Sequence, residues 1–442
     1  MADESMRKAA EDAVGLAQDK GAHEVASGAY RVRNVEVQWR DGKLERVSEA
    51  TTRGIGLELY VDGRYSTVST SDLRPQALSR FIEDAVKLTR TLAPDPFRRL
   101  PDPKLYEGQA QVDLDLEDRS YHEVTPEQRR QMTEAIEMAA RAAPGAQSIL
   151  SVTTGCGDTL AETFRVHSNG FEGSRRVTDF WLSAQVSVKD PDGRRPEDWS
   201  AGASRHRALL PSAGQVGREA AERAIARIGS RKGESALLTL AVENRAAGRL
   251  IGYLLAALGA SALQQKRSFL EGRRGEKVAS PLFSLTDDPL LPRGLGSRLY
   301  DGEGLAARSF PVFSEGVLES YYVDTYYGRK LGMQPTTRGP SNLAVGLGAE
   351  DRPSLLSKMG EGVLVTGFLG GNSNSTTGDF SLGVHGFRVR AGQLAEPIGE
   401  MNVSGRHQDL WLHLTAVGND PYPFSALRSP TLAFEQVQFA GV

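Results

Sequence analysis

Apolar and polar residues alternate in two stretches near the start of the chain, and both stretches predict β-hairpins. The first contains Asp41-Gly42 and the second contains Asp62-Gly63 between the alternating segments. An Asp-Gly pair favours a two-residue turn, so two such hairpins in succession predict an antiparallel sheet. Before them, residues 5–20 place apolar side chains at helical spacing, which predicts a helix in front of the sheet.

A second helix and two boundaries complete the first half of the chain. Asp72 is predicted to cap a helix whose apolar face consists of Leu78, Phe81, Ile82, Ala85 and Leu88. Residues 92–107 are rich in proline and charge, which is typical of a linker, and Gly229–Gly233 marks another boundary. We therefore expect an N-terminal α+β domain over residues 1–120 and a central α+β segment over residues 121–230. No internal repeat is visible in the sequence.

Within the central segment, helical and strand patterns again alternate. Thr125 precedes Pro and Glu, which indicates a helix start. Apolar alternation predicts strands around 148–154, 163–169 and 180–188, and residues 211–228 have helical spacing.

The last part of the chain, residues 231–442, is predicted to be mainly β. A buried strand near residues 234–242 runs directly into one long helix over about 244–265. From residue 281 onward, short strand patterns are separated by Gly and Pro. The predicted fold class is α+β, with an N-terminal antiparallel sheet flanked by helices and a C-terminal, barrel-like β domain that carries the long helix.

The segment Thr366–Phe387 combines many glycines with regularly placed apolar residues. Val363-Leu364-Val365 predicts a strand that enters it, and Phe380, Val384 and Phe387 predict a strand that returns. Glycine permits positive φ and close approach of another backbone, so the crossing is either a structural corner or a ligand groove. The chemistry of the segment favours the corner.

Composition narrows the class of protein. A net charge of −3 and a pI near 6.2 give no overall attraction to nucleic acid or membranes, and the basic stretch 266–277 is interpreted as a solvated loop. Cys156 is the only cysteine, which excludes an intrachain disulfide and fits a reducing cytosol. The first residues have no apolar signal core, and no apolar run has the length of a membrane span. We expect a cytoplasmic protein.

Catalytic motifs are not evident among the candidate residues. The seven histidines do not form a helical His-Glu-x-x-His pattern; His407 and His413 could share one face of a strand, which is weak evidence for a site. Cys156 is interpreted as a small packed thiol rather than a nucleophile. Asp379 is interpreted as a cap for backbone N–H groups among glycines.

Several long motifs resemble one known family. GGNSNSTTGDFSLGVHGFRVRAGQL, EMNVSGRHQDLW and AVGND are similar to the C-terminal signature of the TldD/PmbA (TldE) family. VEVQWRDGKLERV, GIGLELYVDGRYSTVSTSDL and VHSNGFEG are also similar in order and spacing. The resemblance covers residue 25 to the end. It implies a metallopeptidase family in which TldD-type chains carry His-Glu-x-x-x-His at a strand-to-helix junction and a late cysteine.

This chain departs from that family pattern at every zinc position. The resemblance places Asn244, Arg245 and Arg249 where the first His, the Glu and the second His would lie, and Ser429 nearest to the late cysteine. Arginine stays protonated and has no lone pair for a metal, while Asn and Ser are weak zinc ligands. The chain is therefore identified as the PmbA/TldE type, with no metal and no cofactor of its own; zinc is expected in a TldD-like partner.

The resemblance implies a non-catalytic subunit of a metalloprotease complex that degrades unfolded polypeptides and matures small peptides. The expected partners are a TldD-like subunit, as a heterodimer, or a second copy of this chain, together with a peptide substrate; no direct nucleic-acid or membrane contact is expected. Two alternatives remain: an independent hydrolase that uses His385 or His407, and a binding protein of the DNA-gyrase-modulator type. The predicted lining of the peptide channel is Thr377, Gly378, Asp379, Phe380 and Ser381.

Overall fold

The structure is a computed structural model that describes residues 4–442. The first three residues lie outside the described residues. They belong to the predicted domain 1–120 and to the N-terminus that we expect to lack a signal core. No helix within residues 4–442 is long and apolar enough to cross a membrane.

The first half of the chain forms one six-stranded antiparallel sheet in the order β3-β2-β1-β4-β5-β6. Its two predicted hairpin turns are present: Asp41 and Gly42 have φ of 46° and 78°, and Asp62 and Gly63 have φ of 50° and 71°. Positive φ at both central residues is the geometry that suits a two-residue hairpin. The strands are β1 Glu24–Arg40, β2 Lys43–Val61, β3 Arg64–Thr70, β4 Ile149–His167, β5 Glu172–Val188 and β6 Glu197–Ser204.

Four helices pack on this sheet, two on each half, and their apolar stripes form two separate cores. The helices are α1 Glu4–Asp19, α2 Pro75–Thr89, α3 Pro126–Arg141 and α4 Ala213–Ala226. Both halves therefore follow the order helix, three strands, helix. No repeat is visible in the sequence because the two halves share the order of their elements rather than residue identities.

Three local predictions in this half are corrected or refined by the structure. Asp72 does not cap α2: the N-cap is Arg74, and the Asp72 carboxylate accepts the Arg74 N–H at 3.1 Å because Pro75 begins the helix later than expected. Leu88 is 56% exposed and does not belong to the apolar face. The strands predicted around 148–154 and 163–169 are one strand, β4, in which glycines at 155 and 157 continue the ladder instead of breaking it.

The C-terminal part is built around a closed five-stranded barrel. Strands β14-β13-β12-β7-β17 pair in sequence, and β14 also pairs with β17, which closes the barrel; β15 adds to β17. A five-stranded sheet in the order β10-β9-β8-β11-β16 packs beside it. The strands are β7 Ala236–Val242, β8 Leu285–Asp287, β9 Phe310–Ser314, β10 Val317–Leu318, β11 Leu343–Val345, β12 Gly362–Ser373, β13 Asp379–Arg390, β14 Gln393–Arg406, β15 Leu414–Val417, β16 Leu427–Arg428 and β17 Leu432–Ala440.

The long helix after β7 is shorter than predicted. Its apolar face packs into the large C-terminal core, but the helix stops before Gly259, where the backbone becomes extended with ψ of 134°. The Tyr322 N–H donates to the Leu258 carbonyl at 3.0 Å, and the Ala260 N–H donates to the Tyr322 carbonyl at 2.9 Å. These bonds to another segment replace helical hydrogen bonds at this point. The helices of this part are α5 Asn244–Leu258, α6 Ala260–Gln264, α7 Thr325–Leu331, α8 Arg352–Met359 and α9 His407–Leu412.

The glycine-rich segment forms the β12–β13 hairpin of the barrel wall, with bulges between Val365 and Gly367 and between Phe368 and Gly370. A Cβ at Gly386 would lie 1.9 Å from the Leu364 carbonyl oxygen, so this position requires glycine for close backbone approach. The structural role favoured by the sequence is therefore present in the barrel.

The predicted α+β fold class is confirmed, including the barrel-like C-terminal domain. The division at residues 120 and 230 stays a prediction. The first two of the three segments contribute strands to one continuous sheet. The proline-rich stretch 92–107 contains only a 3-10 turn at Pro103–Tyr106. It is fastened to the C-terminal part, since the Arg329 guanidinium donates hydrogen bonds to the carbonyls of Phe97, Arg99 and Leu100 at 2.7–3.0 Å.

Candidate functional site

The main candidate site is a cleft of about 670 Å³ between the central segment and the barrel. Helix α4 and the edge strand β6 form one wall, and the junction between β7 and α5 forms the other. The β7–α5 junction lies at the barrel because β7 pairs in parallel with β12 and antiparallel with β17. Apolar side chains complete the lining: Pro211, Leu364, Phe387, Leu394, Pro423 and Phe424.

A buried ion network crosses the base of this cleft. The Arg223 Nη1 atom of α4 lies 3.0 and 2.8 Å from the two carboxylate oxygens of Glu243, and its Nε lies 3.1 Å from Asp198 Oδ1. Arg352 contacts the same Glu243 carboxylate at 2.8 Å. Glu243 and Asp198 are each 5% exposed. These two carboxylates raise the pKa of Arg223 despite its burial, and the network joins α4, β6, the start of α5 and α8.

Arg245 is held in the cleft by an acid and two aromatic rings. Its Nη1 lies 2.6 Å from Glu219 Oε1, and its guanidinium carbon lies 5.0 Å from the Trp199 ring centre and 5.2 Å from that of Tyr422. The Arg245 side chain is only 6% exposed. A guanidinium enclosed by rings and one carboxylate is a positioned positive charge rather than a mobile surface group.

The other three positions implied by the family pattern make local contacts. Asn244 Nδ2 donates to the Asp420 carbonyl at 2.6 Å. Arg249 is exposed on the next turn and donates to the Tyr253 hydroxyl at 3.1 Å. Ser429 is fully buried, and its hydroxyl donates to the Pro430 carbonyl at 3.0 Å. Asn244 and Arg245 line the cleft, whereas Arg249 and Ser429 are absent from its described lining.

This donor set does not fit a zinc ion. Two of its four members are guanidiniums, which have no free lone pair and repel a cation, and the neutral Asn244 amide and Ser429 hydroxyl are weak zinc ligands. Across residues 4–442, no group of three or more His, Cys, Asp and Glu side chains has an arrangement suited to a metal ion.

The two histidines of the alternative hydrolase have different surroundings. His385 Nε2 lies 3.8 Å from Asp198 Oδ2, at the edge of the ion network. Burial and then the nearby Arg227 charge lower the pKa of His385 to about 4, so the ring is neutral at pH 7. His407 begins α9, so it does not share a strand face with His413 as predicted; it stacks on Phe269 and bonds the Ser373 hydroxyl at 2.9 Å. His413 follows the same helix.

The predicted peptide-channel residues lie at the tip of the β12–β13 hairpin and away from the described lining of the cleft. The Thr377 hydroxyl bonds the Asp379 carboxylate at 2.5 Å, so Asp379 serves the turn itself. Phe380 is 6% exposed and packs on His407, so it faces the core. The channel role of Thr377, Gly378, Asp379, Phe380 and Ser381 stays a prediction.

Sequence reasoning missed the ion network and the aromatic clamp, which is the pair of Trp199 and Tyr422 rings around Arg245. A partial signal exists for Glu243, which stands directly between an apolar strand and a helix, where an unpaired carboxylate is costly to bury. The partner charges Asp198, Arg223 and Arg352 have no such signal because they come from distant segments. Cys156 is the packed thiol that the sequence predicts: it is 3% exposed, and burial raises its pKa to about 12.

Comparison with known proteins gives consistent matches along the chain. Three family models match in order: PmbA/TldA metallopeptidase domain 1 over residues 29–89, the central domain over 119–228 and the C-terminal domain over 236–441. Metalloprotease PmbA of Escherichia coli O157:H7 is 28% identical over 450 residues, covering 99% of this chain and 97% of the relative.

Two solved structures share the whole architecture. A proposed modulator of DNA gyrase from Bacteroides thetaiotaomicron VPI-5482 is 37% identical, with a TM-score of 0.97 and 100% coverage of both chains. TldE from Thermococcus kodakarensis is 20% identical, with a TM-score of 0.87 over 98% of this chain and 100% of that one, which shows a common fold.

The six-stranded sheet, the barrel and the order of the three matched domains are those of a metallopeptidase family. The chain belongs to the PmbA/TldA metallopeptidase family and is a member of its PmbA/TldE branch.

Proposed function

We propose that this chain is a non-catalytic, PmbA/TldE-like subunit of a TldD/TldE-type metalloprotease complex in the cytoplasm. The complex would degrade unfolded polypeptides and mature small peptides, with zinc supplied by a TldD-like partner. The observation that carries the proposal is the strand-to-helix junction, where Asn244 and Arg245 stand in the cleft with a donor set that cannot hold zinc. A homodimer of this chain is the other assembly consistent with the proposal.

The cleft supports a role in holding peptide rather than in hydrolysis. Its volume is within the range of ligand pockets, and its apolar wall faces the charged network. The charged residues of the lining include more acids than bases, which would favour peptides with basic groups: Asp198, Glu219, Glu222, Glu243, Asp351 and Asp420 against Arg223, Arg245 and Arg352. Such a subunit would guide substrate toward a metal in the partner.

Strand addition, a common way to bind extended peptide, is not favoured at the edge strand β6 that borders the cleft. The Glu197 carbonyl already accepts a hydrogen bond from Arg227, and the Ala201 carbonyl accepts one from the Tyr422 hydroxyl. The Arg227 and Tyr422 side chains therefore compete with an incoming strand for these two carbonyls. Side chains of the cleft would carry the contact instead.

The proposal is tested by reconstitution with a TldD-like protein and an unfolded casein substrate. We expect the isolated chain to be inactive, the mixture to cleave casein, and a chelator to abolish that cleavage. Arg245→Ala should weaken the stimulation by this chain, whereas Arg249→Ala, on the exposed side of the same helix, should leave it unchanged. Stoichiometric metal and chelator-sensitive cleavage by the isolated chain would establish the independent hydrolase instead. Failure to bind or stimulate any TldD-like protein would refute the subunit role.

A second candidate function rests on the Bacteroides relative, which is described as a proposed modulator of DNA gyrase. This function would act through contact with gyrase itself, because the net charge of −3 gives no attraction to DNA. A supercoiling assay with purified gyrase, with and without equimolar chain, decides between the two candidates: an unchanged supercoiling rate excludes this one.

A further inference from the structure

A second cavity, separate from the cleft, lies where three parts of the chain meet. It has a volume of about 320 Å³ and is bounded by residues 112–119, the beginning of β5 and residues 298–300. The segment 112–119 is tied to both neighbours: the Leu114 carbonyl accepts the Arg293 N–H at 2.7 Å, and the Leu116 carbonyl accepts the Thr178 N–H at 3.0 Å. Backbone hydrogen bonds therefore hold this wall of the cavity in place.

Two arginines that line this cavity have no carboxylate partner among residues 4–442. Arg175 donates from Nη2 to the Ser297 carbonyl at 3.0 Å. Arg298 donates to the Pro340 carbonyl at 3.2 Å, to the Gly339 carbonyl and to the Thr337 hydroxyl. The Nε atoms of both arginines are buried, and neither has a hydrogen-bond acceptor in the described structure.

A third guanidinium increases the local positive charge. Arg205 is 3% exposed and has Asp179 as its ion-pair partner at 2.8 Å. Burial, followed by the charges of Arg205 and Arg298, lowers the pKa of Arg175. Asp179 and Asp287 attract Arg175 and Arg298 from beyond ion-pair distance, so the three guanidiniums outnumber the two carboxylates near them. Buried charge without a counter-charge is unfavourable, which points to an anion as the missing component.

The acids that line the cavity do not supply that counter-charge. Glu117 pairs with Arg176 at 2.9 Å. Asp115 pairs with Arg293 at 2.5 Å and lies 3.3 Å from His206. The remaining acid, Asp113, is exposed and accepts the Asp115 N–H at 2.8 Å. Arg175 and Arg298 therefore keep a net positive charge at the cavity.

We propose that this cavity binds a small organic anion through a carboxylate or phosphate group placed between Arg175 and Arg298. A guanidinium fork matches the two oxygens of either group, and the partly buried Tyr300 ring offers an apolar wall for the rest of the molecule. The site is independent of the proposed protease function. It joins residues 112–119, the central segment and the C-terminal part in one contact.

Calorimetric titration of the full chain at constant ionic strength tests this site. The probes are inorganic phosphate, citrate, and acetyl-Ala-Ala as the free acid and as the amide, with chloride as the background anion. We expect saturable one-to-one binding, weakened about tenfold or more in Arg175→Gln and in Arg298→Gln, because each loses charge-assisted hydrogen bonds. Arg130→Gln, on the exposed face of α3, is the matched control and should bind as the unmodified chain does.

The outcomes separate the two sources of the anion. Binding of phosphate alone assigns a phosphate ligand; binding of citrate or of the free-acid peptide but not of its amide assigns a carboxylate. Circular dichroism checks that the variants fold. If Arg175→Gln does not fold, Arg175→Lys replaces it, because lysine keeps the positive charge and lacks the guanidinium fork. Absence of binding for every probe, or equal affinity in the folded Arg175 and Arg298 variants, would overturn the proposal.

Discussion

Arg223 on α4 and Glu243, the residue before α5, form a buried ion pair in which one guanidinium nitrogen contacts both carboxylate oxygens at 3.0 and 2.8 Å. The pair connects the central segment to the barrel at the base of the cleft. Asp198 and Arg352 extend it on either side, so each buried charge has a partner of opposite sign.

Glu243→Gln should therefore destabilise the protein strongly. The change leaves Arg352 without its acid and Arg223 with only Asp198, and the loss of one partner in a buried pair costs about 3–5 kcal/mol. Urea denaturation at pH 7.5 measures the free energy of unfolding. Glu83→Gln, which breaks an exposed pair with Lys87, should change it by less than about 1 kcal/mol; equal effects of the two substitutions would contradict the network.

Two helical glycines should respond in opposite directions to alanine. A Cβ at Gly217 in α4 would lie 2.0 Å from the Ile136 carbonyl oxygen of α3, so Gly217→Ala must separate the two helices and should cost about 1–3 kcal/mol. Gly252 in α5 has no neighbour within 4 Å of the new Cβ. Gly252→Ala should stabilise by about 0.5–1 kcal/mol through helix propensity. Thermal melts of both variants check the signs, and a stabilised Gly217→Ala variant would refute the close helix contact.

The Cys156 thiol should be unreactive in the folded protein. It is 3% exposed, its Sγ lies 3.4 Å from the Arg129 carbonyl, and burial raises its pKa to about 12. A thiol reagent at pH 8 should label one cysteine per chain in urea. Its labelling rate with the native chain should be lower by orders of magnitude. Native labelling at the unfolded rate would show that this core is open.

Buried His407 should make stability depend on pH. Burial lowers its pKa from 6.5 to about 4, so between these values the unfolded chain binds a proton that the folded chain does not. This contribution is present above pH 6.5 and is lost as pH falls toward 4, amounting to about 3 kcal/mol for the full window. We expect His407→Gln to show a shallower loss of stability from pH 6.5 to 4.5.

The hydrogen-bond partner of His407 provides the control for that measurement. Ser373→Ala removes the hydroxyl that lies 2.9 Å from Nε2 and keeps the histidine in its aromatic surroundings. Its pH slope should equal that of the unmodified chain. If His407→Gln and the unmodified chain have the same slope, the folded histidine titrates normally.

The sequence predicts those features that depend on neighbouring residues. Both Asp-Gly turns and the helix start at Thr125 form as predicted from local chemistry. The prediction for the helix after β7 fails at Gly259 because the competing bonds come from Tyr322, far along the chain. At the candidate site, the incompatibility of Asn244 and Arg245 with zinc follows from their chemistry, whereas the aromatic clamp on Arg245 depends on Trp199 and Tyr422, which only the fold brings together.

The six-stranded sheet has a consequence for how the protein can be divided. Strands β1 and β4 pair continuously from Ala26–His167 to Arg40–Thr153, so the ladder between the two halves is among the longest in the molecule. Expressing either half alone would expose that whole row of backbone donors and acceptors, a template for fibrous self-association. The two halves should therefore be obtained in soluble form only together, and a protease cut in the intervening residues 92–107 should leave them associated.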